Sequence, residues 1–471
     1  MRGRLPLLFT AMVVLVACTG GVDIKTNGSP SAQGPVGPTW QADWPQYLFD
    51  RQHTSMNAAA TTITPANVQN LAPAWSFDAP GPTETGQPAA QFFASPVVVD
   101  GVAYIGANTG DFFALSATDG TVRWSRNLGW VPNRTCGGRG ITSTASVIDG
   151  TVYVGGGDGK LYALNADTGD VVWSAPIVNP GKKQNEAYLW GSPLVANGEV
   201  YIGMSSQCDN PLIRGGIKAV NAQTGHVDAT YYTVPPKDIG GSVWSSLAAD
   251  ANDHVYASTG NPDVNQKEGP AWGDSFGLVS FAPPLRRKGA WQVPIDSVKV
   301  RDWDFGASPS IWNLKSTTYF GACNKDGVFY AVDAATDRLA WSTPISEAYP
   351  SSNCLSGSVF DKRSGRLYIA SGQWRKAKGT VVAMDAATGK IIWRLKLPAP
   401  AIGSLSLDGG GVIAVPEYGS QSVVFVDARK GERLGEVNAN HEDVFSQPVF
   451  SDSYLYVATV PGHLYAFKVG S

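Results

Sequence analysis

The stretch Lys160 to Trp173, KLYALNADTGDVVW, is an alternating apolar run, a tight turn at Asp167-Thr168-Gly169, and a second short run ending in tryptophan. Side chains on an extended strand point alternately to two faces, so apolar residues at every second position mark a strand with one buried face. Asp, Thr and Gly between two such runs supply the turn, because Asp bonds its own backbone and Gly accepts positive φ. The stretch is a β-hairpin. It recurs as FFALSATDGTVRW (Phe112 to Trp124), GIKAVNAQTGHVDA (Gly216 to Ala229), VFYAVDAATDRLAW (Val328 to Trp341) and VVAMDAATGKIIW (Val381 to Trp393), which predicts a repeat fold.

Working outward, each unit begins with an S-P-V-V-V or S-P-L-V strand, then a D-G or N-G turn, a V-Y-V-G strand, a Gly-rich link and the hairpin, giving four strands. Units start near Ser95, Ser143, Ser192, Ser245, Ser308, Ser356 and Ser404, the last with a degenerate hairpin at Val426 to Gly431. Beyond it lie only three strands (Gln447 to Phe450, Leu455 to Thr459, His463 to Lys468), while one orphan strand, Ala74 to Phe77, precedes the first unit. One strand and three complete a final unit and hide the sheet edges at the join. The expected fold is all-β: an eight-bladed β-propeller of four-stranded antiparallel blades, closed by pairing N- and C-terminal strands. An open β-solenoid would not need the split unit. Trp44 to about Asn70 lacks the repeat and reads as a segment packing across the domain. Trp124, Trp173, Trp341 and Trp393 end hairpins and read as structural, each ring covering small residues of the next blade.

A continuous repeat shares one core, so residues 40–471 are expected to form a single domain. Charged residues are 16% and the net charge is -3, so no basic footprint suggests nucleic acid. With five His and no G-x-S-x-G, acyl transfer has little support. The absence of C-x-x-C-H argues against covalent c-type haem, and no C-x-x-C or H-E-x-x-H suggests zinc. At the N-terminus Arg2 and Arg4 precede an apolar run, and Leu15-Val16-Ala17-Cys18 resembles a bacterial lipobox. That implies a signal peptide over 1–17, lipid on Cys18, a flexible tether over 18–39, and an exported protein that meets the membrane only through its lipid anchor. A plain signal peptide is the alternative. The remaining cysteines allow three pairings, of which Cys136 with Cys208 and Cys323 with Cys354 are preferred as lying on neighbouring or next-neighbouring repeats.

The hairpin pattern A-x-x-A-x-T-G-x-x-x-W resembles the tryptophan-docking repeat of quinoprotein alcohol dehydrogenases, eight-bladed propellers that bind pyrroloquinoline quinone. A non-catalytic outer-membrane assembly lipoprotein carries similar repeats, so the positions that break the repeat decide. Gly240-Gly241-Ser242-Val243-Trp244 resembles the family's G-G-x-x-W, which implies that Trp244 is the floor for the flat cofactor. Thr259-Gly260-Asn261-Pro262 resembles the T-G-N-P element, whose Asn ligates calcium. Asp302-Trp303-Asp304-Phe305 is similar to the family's W-D-Y, which makes Asp304 the base and a calcium ligand. Asn324-Lys325-Asp326-Gly327 resembles the element whose Lys touches the quinone oxygens, and Arg139-Gly140 the pair that binds a cofactor carboxylate. Ser205 is grouped with these cofactor-binding residues. Motifs around V-W-S-S, T-G-N and D-W-D-F-G-A-S-P are most similar to the polyvinyl alcohol dehydrogenase branch.

Each residue type suits its implied role. A carboxylate can take the hydroxyl proton as an alcohol becomes a carbonyl. A hard cation with oxygen ligands polarises the quinone carbonyl, and an arginine forks onto a carboxylate where lysine would hold it less firmly. Departures are also visible. Where the family supplies a glutamate ligand, this chain has Gln207-Cys208-Asp209-Asn210, so Asp209 is the nearest carboxylate. The family's adjacent Cys-Cys is missing, Trp190 stands where a hydroxyl residue often bonds the cofactor, and Asp302 adds a carboxylate that is either a spare ligand or a turn acceptor. The expectation is an exported dehydrogenase oxidising a small or polymeric alcohol, with a separate electron acceptor. The alternative is a cofactor-free propeller that binds a cell-envelope partner.

Overall fold

The computed structural model describes residues 40–133, 137–179, 187–209, 211–263, 272–294, 302–347, 352–373, 376 and 378–470. The expected signal peptide, Cys18 and tether lie outside these residues, as do Cys136 and Asn210. Eight sheets surround a central axis. In the first, Val97–Val99 lies innermost, followed outward by Val102–Gly106, Asp111–Ser116 and Val122–Asn127, each antiparallel to the last. The same order builds blades 2 to 7. Blade 8 takes Val449–Ser451, Tyr454–Ala458 and His463–Val469 from the C-terminus and its outer strand, Leu71–Asp78, from the N-terminus. Leu71 faces Val469 and Asp78 faces His463 across that closing ladder. A 3-10 turn, Val68–Asn70, leads into the closing strand.

The docking tryptophans behave as their positions predict. Trp124 and Trp173 donate their indole N–H to Ala166 O and Ala222 O of the following blade, both at 2.9 Å. Their rings cover Gly169 and Gly225, at φ 71° and 73°, where an added Cβ would meet the indole within 2.5 to 2.8 Å. In blade 5 the roles divide: Trp341 covers Gly389, while Trp312 makes the hydrogen bond, to Ala386 O at 3.0 Å.

The segment without repeats crosses the axis and plugs one end of the channel. Its carbonyls accept N–H groups from successive innermost strands: Trp44 from Val98, Pro45 from Val147, Arg51 from Ala249, Gln52 from Ile311, Thr54 from Phe360 and Ser55 from Leu407, at 2.7 to 3.0 Å. These belong to blades 1, 2, 4, 5, 6 and 7 in that order. To turn this tightly the plug holds Leu48, Phe49, His53 and Ser55 at φ between 54° and 78°. Left-handed backbone costs about 1 kcal/mol or more per non-glycine residue, which the bonds to six blades offset. Cys323 and Cys354 form the expected disulfide. Cys208 is also disulfide-bonded, but its expected partner Cys136 is outside the described residues.

Candidate active site

Each inner strand is entered through a residue two positions before one that is serine or threonine in six of the eight blades. Over blades 1 to 8 the entry residues are Phe93, Thr142, Trp190, Trp244, Gly306, Leu355, Ile402 and Phe445, and all face an axial cavity of about 390 Å³. Below them is a tier of hydroxyls, and Tyr47 of the plug closes the base, its phenol hydrogen-bonded to Ser404 Oγ at 2.8 Å. This volume falls in the range of small-molecule pockets, roughly 300–1,000 Å³.

One wall is ionic. Asp304, 2% exposed, accepts the indole N–H of Trp244 at 2.9 Å on Oδ2, and its Oδ1 lies 2.6 Å from Lys325 Nζ. The same ammonium is 2.7 Å from Asp302 and 4.9 Å from the centre of the Trp244 ring. Burial pushes the Asp304 carboxyl above its ordinary value, against the lowering effect of Lys325. Burial opposes the charge on Lys325, but Asp304 and Asp302 together hold its pKa above the usual lysine range. The pair is therefore a carboxylate and an ammonium stabilising one another in a low-dielectric wall. Glycine keeps it compact: a Cβ at Gly260 would come within 3.1 Å of Asp304 Oδ2, and one at Gly306 within 2.4 Å of the Trp244 ring.

Asn261 extends the cluster. Its Nδ2 donates to Asp209 at 3.2 Å and to Asp302 at 3.3 Å, while its Oδ1 is buried without a hydrogen-bond partner. Burial raises the Asp209 pKa. Among the described residues no three His, Cys, Asp or Glu side chains come together as a metal-holding group. A cation here would need the Asn261 amide turned over, so that Oδ1 in place of Nδ2 faces Asp209 and Asp302, an all-oxygen set of the kind hard cations take. The residues fit such an ion.

Arg139 lies at the rim with its guanidinium 4.9 Å from the Trp190 ring and 5.5 Å from that of Phe93, both cavity-lining. Its Nε is buried without a partner, and burial lowers its pKa. An unpaired guanidinium donor beside a cavity suits a carboxylate ligand. Ser205 is placed elsewhere: its hydroxyl donates to Tyr188 O at 2.9 Å inside blade 3, and its neighbour Ser206 lines the cavity instead. Trp190 lines the cavity and spends its N–H on Gln207 O, at 3.0 Å.

Residues 44–277 match the family described as "Glucose/ethanol/alcohol dehydrogenase, beta-propeller domain". The alcohol dehydrogenase (quinone) dehydrogenase subunit of Gluconacetobacter polyoxogenes is 30% identical over 321 residues, covering 59% of this chain and 42% of that protein. The chain has a quinoprotein alcohol dehydrogenase-like β-propeller. This quinoprotein-type propeller spans about half the length of the curated relatives it matches. Its fold is shared with quinohemoprotein alcohol dehydrogenase from Comamonas testosteroni, at TM-score 0.73 and 20% identity over 91% of this chain and 81% of that one. A europium-containing methanol dehydrogenase superposes at TM-score 0.74 with 18% identity, covering 91% and 98% of the two chains. Residues 325–471 match a second family, "Outer membrane protein assembly factor BamB".

Proposed function

We propose that the propeller is a pyrroloquinoline-quinone-dependent dehydrogenase that oxidises an alcohol, with Asp304 as the base. The observation that carries this reading is the convergence of Trp244, Asp304 and Lys325 in one cavity wall, with the Asp304 carboxylate 2.9 Å from the indole and 2.6 Å from the ammonium. A surface used only for docking does not require a buried carboxylate held between an indole and a lysine, because burying charge costs several kcal/mol unless it is compensated.

When bound, the quinone would accept hydride from the alcohol carbon. Trp244 would lie against its flat face, Arg139 would pair with a carboxylate, and Asp209, Asn261 and Asp304 would hold the cation, with Asp302 as a further donor. The chain's own groups do the rest. Asp304 presents an oxygen to the substrate hydroxyl and takes its proton; burial makes that carboxylate a stronger base than one in water. Lys325 keeps it ionised in the absence of substrate and supplies positive charge where negative charge develops. Phe93, Leu355, Ile402 and Phe445 exclude water from the apolar side.

Calcium is the ion proposed first. An ion of higher charge, such as the one named for the europium-containing neighbour, is the second candidate. A secondary alcohol, free or within a polymer, is the proposed substrate, and electrons leave to a separate acceptor. The proposed setting is export and anchoring through Cys18. The match of residues 325–471 to an assembly factor favours one competing reading, a cofactor-free scaffold. The deciding assay is alcohol oxidation by protein reconstituted with the quinone and calcium or europium, using an artificial acceptor. Turnover that Asp304→Asn abolishes is expected. Quinone-saturated protein that turns over no primary or secondary alcohol would overturn the reading.

A further inference from the structure

The tier of hydroxyls below the entry residues forms a circular belt. Its hydroxyls accept the backbone N–H of the preceding member: Ser95 donates to Thr144, Thr144 to Ser192, Ser192 to Ser246, and Ser246 to Ser308, at 2.8 to 3.1 Å. Gly357 donates to Ser404 at 2.8 Å, and Gln447 closes the circle on Ser95 at 2.8 Å. Two positions on the belt carry no hydroxyl. At blade 8 the residue is Gln447, which ties itself to blade 7 by donating from Nε2 to Leu405 O at 2.6 Å. At blade 6 it is Gly357, so Ser308 of blade 5 meets no hydroxyl there.

The plug explains that glycine. A Cβ on Gly357 would lie 2.7 and 2.8 Å from the methyl carbons of Leu48, which occupies the place a serine side chain would need. The one described disulfide spans this same junction. Cys323 belongs to blade 5 and Cys354 to the entrance of blade 6, their Cα atoms 5.5 Å apart and both side chains fully buried. Two residues after Cys323 comes Lys325; one residue after Cys354 comes Leu355. Leu355 and Trp244 crowd Gly306 together, each within 2.4 Å of where its Cβ would stand.

We propose that the Cys323–Cys354 disulfide is a positioning element of the site, replacing the belt link lost at Gly357 and fixing the Lys325 ammonium and Leu355 against the Trp244–Asp304 pair. On the far side of Lys325 its turn is already rigid: Val328 N donates to Asp326 Oδ1 at 2.8 Å, and Tyr330 donates its phenol to Asp326 at 2.6 Å. The disulfide is the matching constraint on the near side. Blades 5 and 6 stay joined below the wall by Ser358, which donates to Ser310 Oγ at 2.8 Å; without the disulfide the strand end that carries Lys325 loses its covalent tie to the entrance of blade 6, and the lysine is held less firmly between Asp302 and Asp304.

The proposal rests on the quinone-site reading for its functional consequence, so one readout is independent of the quinone. In the apo protein, Lys325 acetylation by acetic anhydride is mapped by mass spectrometry against Lys396, exposed on an outer strand. Cys323→Ala/Cys354→Ala should raise the relative rate at Lys325 about tenfold. In titrations the same variant should bind pyrroloquinoline quinone about tenfold more weakly, a loss of ~1.4 kcal/mol, and the loss should vanish in a Lys325→Met background. A disulfide that only stabilises the fold would lower the melting temperature equally in both backgrounds and leave Lys325 reactivity unchanged, which overturns the proposal. Should the alanine pair not fold, Cys323→Val/Cys354→Ala refills the lost volume and is read in the same way. Faster acetylation together with no quinone binding by the parent protein would uphold the positioning role and reject the quinone reading.

Discussion

At the scale of single residues, Asp304 carries the chemistry and Lys325 sets its state. Asp304→Asn keeps the shape of the side chain and an acceptor for Trp244 but cannot take a proton. Turnover should fall by about 10²- to 10⁴-fold, with quinone affinity, titrated without calcium, within about threefold of the parent; a variant retaining a tenth of the rate would remove Asp304 from the base role. Sequence motifs were legible here where they interrupt the repeat, as at Asn261, Asp304 and Lys325, because a residue with no part in blade packing stands out from those that have one. The roles of Asp302 and Ser205 were not legible. Whether Asp302 would be a ligand or a turn acceptor depends on Lys325, 23 residues away. Along a strand, moving one residue changes the face, which is why Ser206 rather than Ser205 reaches the cavity.

At the scale of elements, the plug decides how the channel ends and how it responds to acid. His53 is buried, with Nδ1 2.8 Å from Pro309 O and its ring beside Tyr47; Asp50, whose carboxyl accepts from Gln52 and Thr54, is the carboxylate of the same turn. Burial pushes the His53 pKa down to about 4 from 6.5. The unfolded chain therefore binds the proton more tightly, so this group's contribution is complete above pH 6.5 and is lost as pH falls toward 4. The difference amounts to roughly 3 kcal/mol. His53→Gln should melt with a shallower dependence on pH than the parent between pH 4 and 6.5, and parallel curves would show that His53 does not titrate on unfolding. The hairpins were readable because their contacts are local. The plug was readable only as a segment lying across the domain, since its partners are set by the ring: Leu48 N donates to Gln447 Oε1 across 399 residues of sequence.

At the scale of the whole molecule, closure by the N-terminal strand holds eight blades in a ring. The sequence carries that closure in its arithmetic, three strands at one end and one at the other. The belt at the axis is not visible in it, because a serine at a strand entrance looks the same whether it bonds within its blade or to the next. Removing Leu71–Asp78 would leave His463–Val469 as an unpaired edge. Such a variant should lose its cooperative melting transition and associate in sedimentation; a folded monomer would show that the closing ladder is dispensable. The central claim, that this ring encloses a quinone site, is tested most directly by calorimetric titration of the folded domain with pyrroloquinoline quinone, with and without calcium, repeated on Trp244→Ala. The account predicts saturable binding at one site per chain, tightened by calcium and weakened about tenfold or more by loss of the indole. No binding by the parent protein under either condition would contradict it.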